Sequence, residues 1–108
     1  MKKERNYDIG SEYLGKYVII RTYSAGVHMG KVKDIYENRV ILEDTRRMRF
    51  FKNIDDGDSL SHIAARGIHP DSKITMAIDN IMLEWVEVIP LTDESKLTFD
   101  ALPYEVVE

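Results

Sequence analysis

The sequence predicts a β-rich fold, between all-β and α+β: a small, strongly bent sheet or SH3-like barrel with one short central helix. Three observations carry that expectation. Residues 17–52 contain short runs of β-branched and aromatic residues broken by turn-forming residues. One helical stripe follows, Leu60, Ile63 and Ala64, behind a capping residue and ahead of Gly67. Strand-like sequence then resumes, most clearly from Ile81 to Ile89, with Trp85 as its largest anchor. Strands in series, a helix and further strands suit a small bent sheet, with a helix-covered α+β sheet as the nearest competitor.

Each element has a local reason. Residues 1–10 are polar and end at Gly10, which predicts a loosely docked tail. Tyr17 to Tyr23 forms a first strand, and Ser24-Ala25-Gly26 supplies a turn. Val27 to Tyr36 is a second strand, where Gly30 marks a bulge or a close approach of backbone or ligand. Glu37-Asn38 makes a tight turn into Arg39–Glu43, a third strand, with Thr45–Lys52 as a fourth. The loop Asp55-Asp56-Gly57-Asp58 leads into the helix, capped by Asp58 or Ser59 and closed by Gly67 in a left-handed conformation. Lys73 to Ile78 is strand-like, Pro90 ends the Ile81 strand, and Thr92 caps a short helix through Asp100. The domain plan is therefore a tail (1–10), one β-rich domain (11–92), and a C-terminal helix and tail (93–108). This last part is expected to pack on the domain or on a neighbouring subunit.

The 108 residues suffice for one core. No apolar run approaches the roughly 18 residues of a membrane span, so no membrane association is expected. The charged start has no apolar stretch behind it, unlike a secretory signal, and points to a cytoplasmic location. Cysteine is absent, which excludes a disulfide framework and thiolate chemistry. The net charge of −4 is unevenly spread. Residues 16–52 hold nine Lys/Arg against four acids, a net +5, while residues 53–108 hold three against twelve, a net −9. The first half can meet an anionic ligand, or the acidic half of another subunit. The acidic half opposes approach to duplex DNA.

The chemistry-bearing residues concentrate in that basic half. In a strand over 45–52, Met48 and Phe50 point to the core, which leaves Arg47, Arg49 and Phe51 on the outer face. Guanidinium forks hold phosphates bidentately, and an aromatic face stacks a base at roughly 1–3 kcal/mol. Arg21, Ser24 and His28 line the neighbouring turn, where Gly26 permits positive φ and exposed amides could form an anion nest. No Gly-Lys-Ser/Thr ending makes it a phosphate loop. His28, His62 and His69 lack companion ligands at metal-binding spacing, and 55–58 lacks the length and closing Glu of an EF-hand, so no metal or cofactor is expected. Ser61 and His62 are adjacent on a helix and point apart, while Ser59 is a cap, so nucleophilic catalysis is not expected.

Val18-Ile19-Ile20-Arg21-Thr22-Tyr23-Ser24-Ala25-Gly26-Val27-His28-Met29-Gly30, Thr45-Arg46-Arg47-Met48-Arg49-Phe50-Phe51 and Ser59-Leu60-Ser61-His62-Ile63-Ala64-Ala65-Arg66-Gly67 resemble a family of small phage and prophage proteins of unknown function. The resemblance covers about residues 14–92 and includes Arg46 and Arg47 directly. It departs where the family carries an aromatic, often Trp, at the position of Arg49, and Trp at that of Phe51. It implies a phage-encoded accessory protein in the host cytoplasm rather than a housekeeping enzyme. By analogy of setting, some small phage proteins act as oligomeric sponges for nucleotide signals of bacterial immunity.

These readings lead to a non-enzymatic, homo-oligomeric protein that sequesters a small anionic, nucleotide-like ligand. Arg21, Ser24, His28, Arg46, Arg47, Arg49 and Phe51 are its candidate contacts. The alternatives are a structural or host-interaction protein docking an acidic protein surface, and a single-stranded nucleic-acid binder, which needs a longer basic groove. The oligomer expectation rests on exposed sheet edges, unlike charges on the two halves, and apolar residues near the termini: Tyr13, Leu97, Phe99 and Tyr104.

Overall fold

A computed structural model describes residues 10–105, so the tail expected over 1–9 lies outside the described residues. A 3₁₀ turn, Ser11–Tyr13, precedes β1 (Tyr17–Thr22), β2 (Val27–Tyr36), β3 (Arg39–Phe50), α1 (Leu60–Arg66), β4 (Lys73–Ile74), β5 (Ile81–Pro90) and α2 (Asp93–Asp100). All strand pairings are antiparallel. β1 pairs with β2 and β5, and β3 pairs with the same two strands, so the sheet bends round into a ring of four strands with β4 added beside β3. The β-rich, bent architecture matches the expected class, with two short helices attached.

Two apolar clusters fill the molecule. Val18, Ile20, Val32, Ile35, Val40, Leu42 and Leu83 form one from sheet residues alone. Ile19, Met29, Met48 and Ile74 meet Ile63, Ala64, Ile68, Phe99 and Leu102 in the other, between sheet and helices. β1 feeds both, because alternate strand residues face opposite sides. That explains its unbroken Val18-Ile19-Ile20 run, as in any strand covered on both faces. Ser59 caps α1 by accepting from the His62 N–H, and Thr92 caps α2 by accepting from the Ser95 N–H. The Ser95 hydroxyl donates to the Ile63 carbonyl at 2.6 Å and Phe99 is fully buried, so α2 packs on its own domain.

Where two strands were expected, over 39–43 and 45–52, the structure has the single strand β3. Its register explains the error. Lys31 pairs with Glu43 and Met29 with Arg46, so Gly30 alone lies opposite Asp44 and Thr45. This is a β-bulge, with Asp44 at φ +49°. A Cβ on Gly30 would lie 2.7 Å from the Thr45 Cβ, so the bulge requires glycine. The Thr45 hydroxyl donates to the Met29 carbonyl at 2.9 Å and locks the distortion. Because the bulge adds one residue, the facing pattern of β3 reverses across it. Val40 and Leu42 enter the sheet-only cluster, whereas Met48 enters the helix-side cluster.

Two further expectations change. The strand expected over 73–78 pairs regularly only at Lys73–Ile74, and afterwards touches β3 through an isolated Thr45–Ile78 bridge. Phe50, expected in the core, is 53% exposed, while Phe51, expected outside, packs against the helix-side cluster. β3 ends at Phe50, and the Asn53–Ile68 bridge then draws the chain toward α1. Closure also removes much of the exposed edge on which association was expected to rest. β4 has only two residues, and its Ile74 carbonyl already accepts from the Glu105 N–H at 2.7 Å.

Candidate functional site

The C-terminal half of β3 separates its three arginines by face. Arg46 turns inward with Met48. Its Nε donates to the Thr75 carbonyl at 2.8 Å and an Nη1 donates to the Phe99 carbonyl at 3.3 Å. Burial lowers its pKa from the ordinary guanidinium value, while Asp44 and Asp100 oppose that fall. Arg46 is thus a clamp between β3, the 75–80 segment and α2. Two of its N–H donors are thus spent on carbonyls within the fold, a structural role that the sequence reading, which counted Arg46 as a ligand contact, did not foresee.

Arg47 and Arg49 turn the other way and line a cleft of about 540 Å³ with Thr45, Thr75, Met76, Ile78 and Ile81. That volume lies within the range of small-molecule sites. The opposite wall is tied to β3 at two places. Thr75 donates its N–H to the Arg47 carbonyl at 3.0 Å and accepts the Arg47 N–H on its hydroxyl at 2.9 Å. Thr45 and Ile78 exchange backbone bonds of 2.9 and 3.0 Å. Between these ties the chain bows outward, leaving Met76 56% and Ile78 47% exposed beside the arginines.

Charge around the cleft is uneven. Among the described residues the Arg47 guanidinium has no hydrogen-bond or ion-pair partner, whereas Arg49 Nη1 lies 3.3 Å from the Glu105 carboxylate. Two nearby acids are already engaged. Asp44 accepts the Tyr17 hydroxyl at 2.6 Å, and Asp79 accepts the Asp44 N–H at 2.7 Å. The Tyr17 phenol is pushed up to about 12, first by burial and then by its bond to Asp44.

The remaining sequence candidates do not join this cleft. Arg21 Nε pairs with Glu87 at 3.0 Å on the β1–β5 surface. Ser24 is exposed in a turn whose groups satisfy each other: Thr22 donates its N–H and hydroxyl to the Gly26 carbonyl and accepts the Ala25 N–H. Gly26, at φ +87°, closes that turn. His28 is fully buried, paired across from Arg47, with Nε2 donating to the Ala25 carbonyl at 2.9 Å. Its Nδ1 is left without a partner. Burial lowers the His28 pKa, the bond to Ala25 opposes this, and the Arg47 charge lowers it further. Phe51 belongs to the core periphery, so the expected stacking platform does not form.

Sequence reasoning missed Thr75, Met76, Ile78, Ile81 and Glu105. Only the alternating apolar residues of 74–78 hinted at the wall, and they resembled an ordinary strand. His62 and Arg66 meet Asp55 at 2.6 and 3.6 Å, on the helix side, as an ion-pair cluster. Among the described residues no group of His, Cys, Asp or Glu is arranged to hold a metal ion. No helix among them is long and apolar enough to cross a membrane.

A bent β-rich domain with a cationic, apolar-walled cleft defines the class. Residues 15–99 match the family described as a domain of unknown function (DUF6948), and the chain belongs to that family. Comparison with curated proteins and with solved structures gives no match.

Proposed function

We propose that the protein binds and sequesters a small anionic ligand of nucleotide size in the β3 cleft, without transforming it. The observation that supports this reading is the Arg47 guanidinium, unpartnered among the described residues, on the rim of a 540 Å³ cleft whose other wall is Met76, Ile78 and Ile81. A guanidinium without a carboxylate partner offers its fork to a phosphate or carboxylate, and the apolar wall takes the ligand's body. The residues lining the cleft are Thr, Arg, Met and Ile, groups suited to holding rather than to proton transfer. The resemblance to phage proteins extends the proposal to an accessory, anti-defence role in the host cytoplasm.

Calorimetric titration against cyclic mono-, di- and trinucleotides and cyclic ADP-ribose isomers tests the reading. Saturable binding, with intact ligand recovered after denaturation, supports sequestration. Turnover of a bound compound would make the protein an enzyme. No binding at high concentration, together with a stoichiometric protein partner from infected cells, would replace the ligand with a docked acidic protein.

A further inference from the structure

We infer that Glu105 sets the charge the cleft accepts, so that the ligand presents one anionic group, to Arg47, and that a second such group is rejected. The inference rests on the proposed ligand site and concerns its selectivity. Arg47 and Arg49 are two residues apart on one strand face, which spaces their backbones about 6–7 Å apart. Alone, such a pair would favour a ligand carrying two or more anionic groups. The structure does not leave the pair alone. Glu105 approaches Arg49 at 3.3 Å, and its backbone N–H is bonded to the Ile74 carbonyl on β4 at 2.7 Å. The segment after α2 therefore brings a carboxylate to Arg49, which lines the cleft, and its main chain is anchored to β4. Glu105 pairs with Arg49 and repels a second anion, while Arg47 has no countercharge among the described residues.

Specificity of this kind comes from a repulsive element as much as from an attractive one. The same reasoning assigns the ligand's body to the apolar wall, since Met76, Ile78 and Ile81 offer no further donor for charge. A singly charged phosphodiester or carboxylate on a flat or apolar body is the chemical class that fits.

The test compares cyclic AMP, with a single negative charge, and ADP, with a more highly charged diphosphate, on the same adenosine. Wild type, Glu105→Gln, Arg47→Gln and Glu94→Gln are titrated at low salt. Glu105→Gln keeps the main-chain bond to Ile74, and Glu94→Gln changes net charge equally on the far helix surface. Wild type is expected to prefer cyclic AMP. Glu105→Gln is expected to tighten ADP about three- to fivefold and cyclic AMP less than about twofold, with Glu94→Gln unchanged. Arg47-dependent binding that Glu105→Gln leaves unaltered, or shifts equally for both compounds, overturns the selectivity and leaves the ligand site standing. Binding of neither compound, with a cyclic di- or trinucleotide of the panel bound instead, overturns the selectivity alone, and binding of no compound of the panel to wild type or Glu105→Gln overturns both.

Discussion

Two irregular segments flank the arginine strand, and they use their polar groups in opposite ways. The turn from Thr22 to Gly26 closes on itself: the Thr22 N–H and hydroxyl donate to the Gly26 carbonyl, and the Ala25 N–H donates to the Thr22 hydroxyl. The segment from Thr75 to Ile81 bonds outward to β3 and exposes Met76 and Ile78 beside Arg47. In sequence the turn offered a possible anion nest beside Arg21, Ser24 and His28, second to the arginine strand, while the later segment read as an ordinary strand. A nest needs unbonded donors, however, and this one has used Ala25 N–H on Thr22. Residue type alone did not show that the turn would spend these groups on itself.

The largest expected effect breaks the comparison at its base. Gly30→Ala drives a Cβ into Thr45, the residue that ties Ile78 and hence the cleft wall. A loss of about 1–3 kcal/mol by chemical denaturation is expected. A variant as stable as wild type would show that the bulge does not hold the wall.

Next come the neighbouring arginines. Arg46→Gln leaves the Thr75 carbonyl without its donor and takes one donor from the Phe99 carbonyl, which keeps the Leu102 N–H, and should lower stability by about 1–3 kcal/mol. Arg47→Gln removes a group with no partner among the described residues and should stay within about 0.5 kcal/mol of wild type. Equal effects in thermal melts would erase the distinction between clamp and ligand residue.

A smaller effect follows from His28, which bridges the two segments by bonding to Ala25 while pairing with Arg47. Its folded pKa is below the ordinary value of 6.5, so the unfolded chain takes up the proton first on acidification. Stability is thus full above about 6.5 and falls as pH drops toward the folded pKa, by at most about 1.4 kcal/mol per pH unit for one proton. His28→Leu should flatten that slope. An unchanged slope in pH-dependent denaturation would show that another group carries it. The smallest effect is at the turn itself: Ser24→Ala should change stability by under about 0.5 kcal/mol.

Much of the fold was legible in sequence. The bounds of β2 and α2 and the Ser59 cap follow directly from periodicity and capping chemistry. Gly30 signalled the bulge correctly, yet its partner Asp44 resembled a break between strands. A left-handed Asp inside a ladder and one in a turn look alike locally, and only the pairing of Lys31 with Glu43 separates them. The faces of 45–52 then failed at Phe50 and Phe51, since strict alternation was carried past the end of the strand. Arg47 and Arg49 were found because they alternate with the core residue Met48 and so take the opposite face. The opposing wall and Glu105 lie 26 or more positions away in sequence, and no local pattern places them there.

The most direct test of the central claim is one comparative titration. Cyclic AMP is titrated into wild type, Arg21→Gln beside the turn, and Arg47→Gln in the cleft, each first shown to be folded. Removing a charge-assisted contact is expected to weaken binding about tenfold or more for Arg47→Gln, with Arg21→Gln close to wild type. Equal affinity in Arg47→Gln and wild type, or a loss confined to Arg21→Gln, would contradict the assignment of the ligand to the β3 cleft.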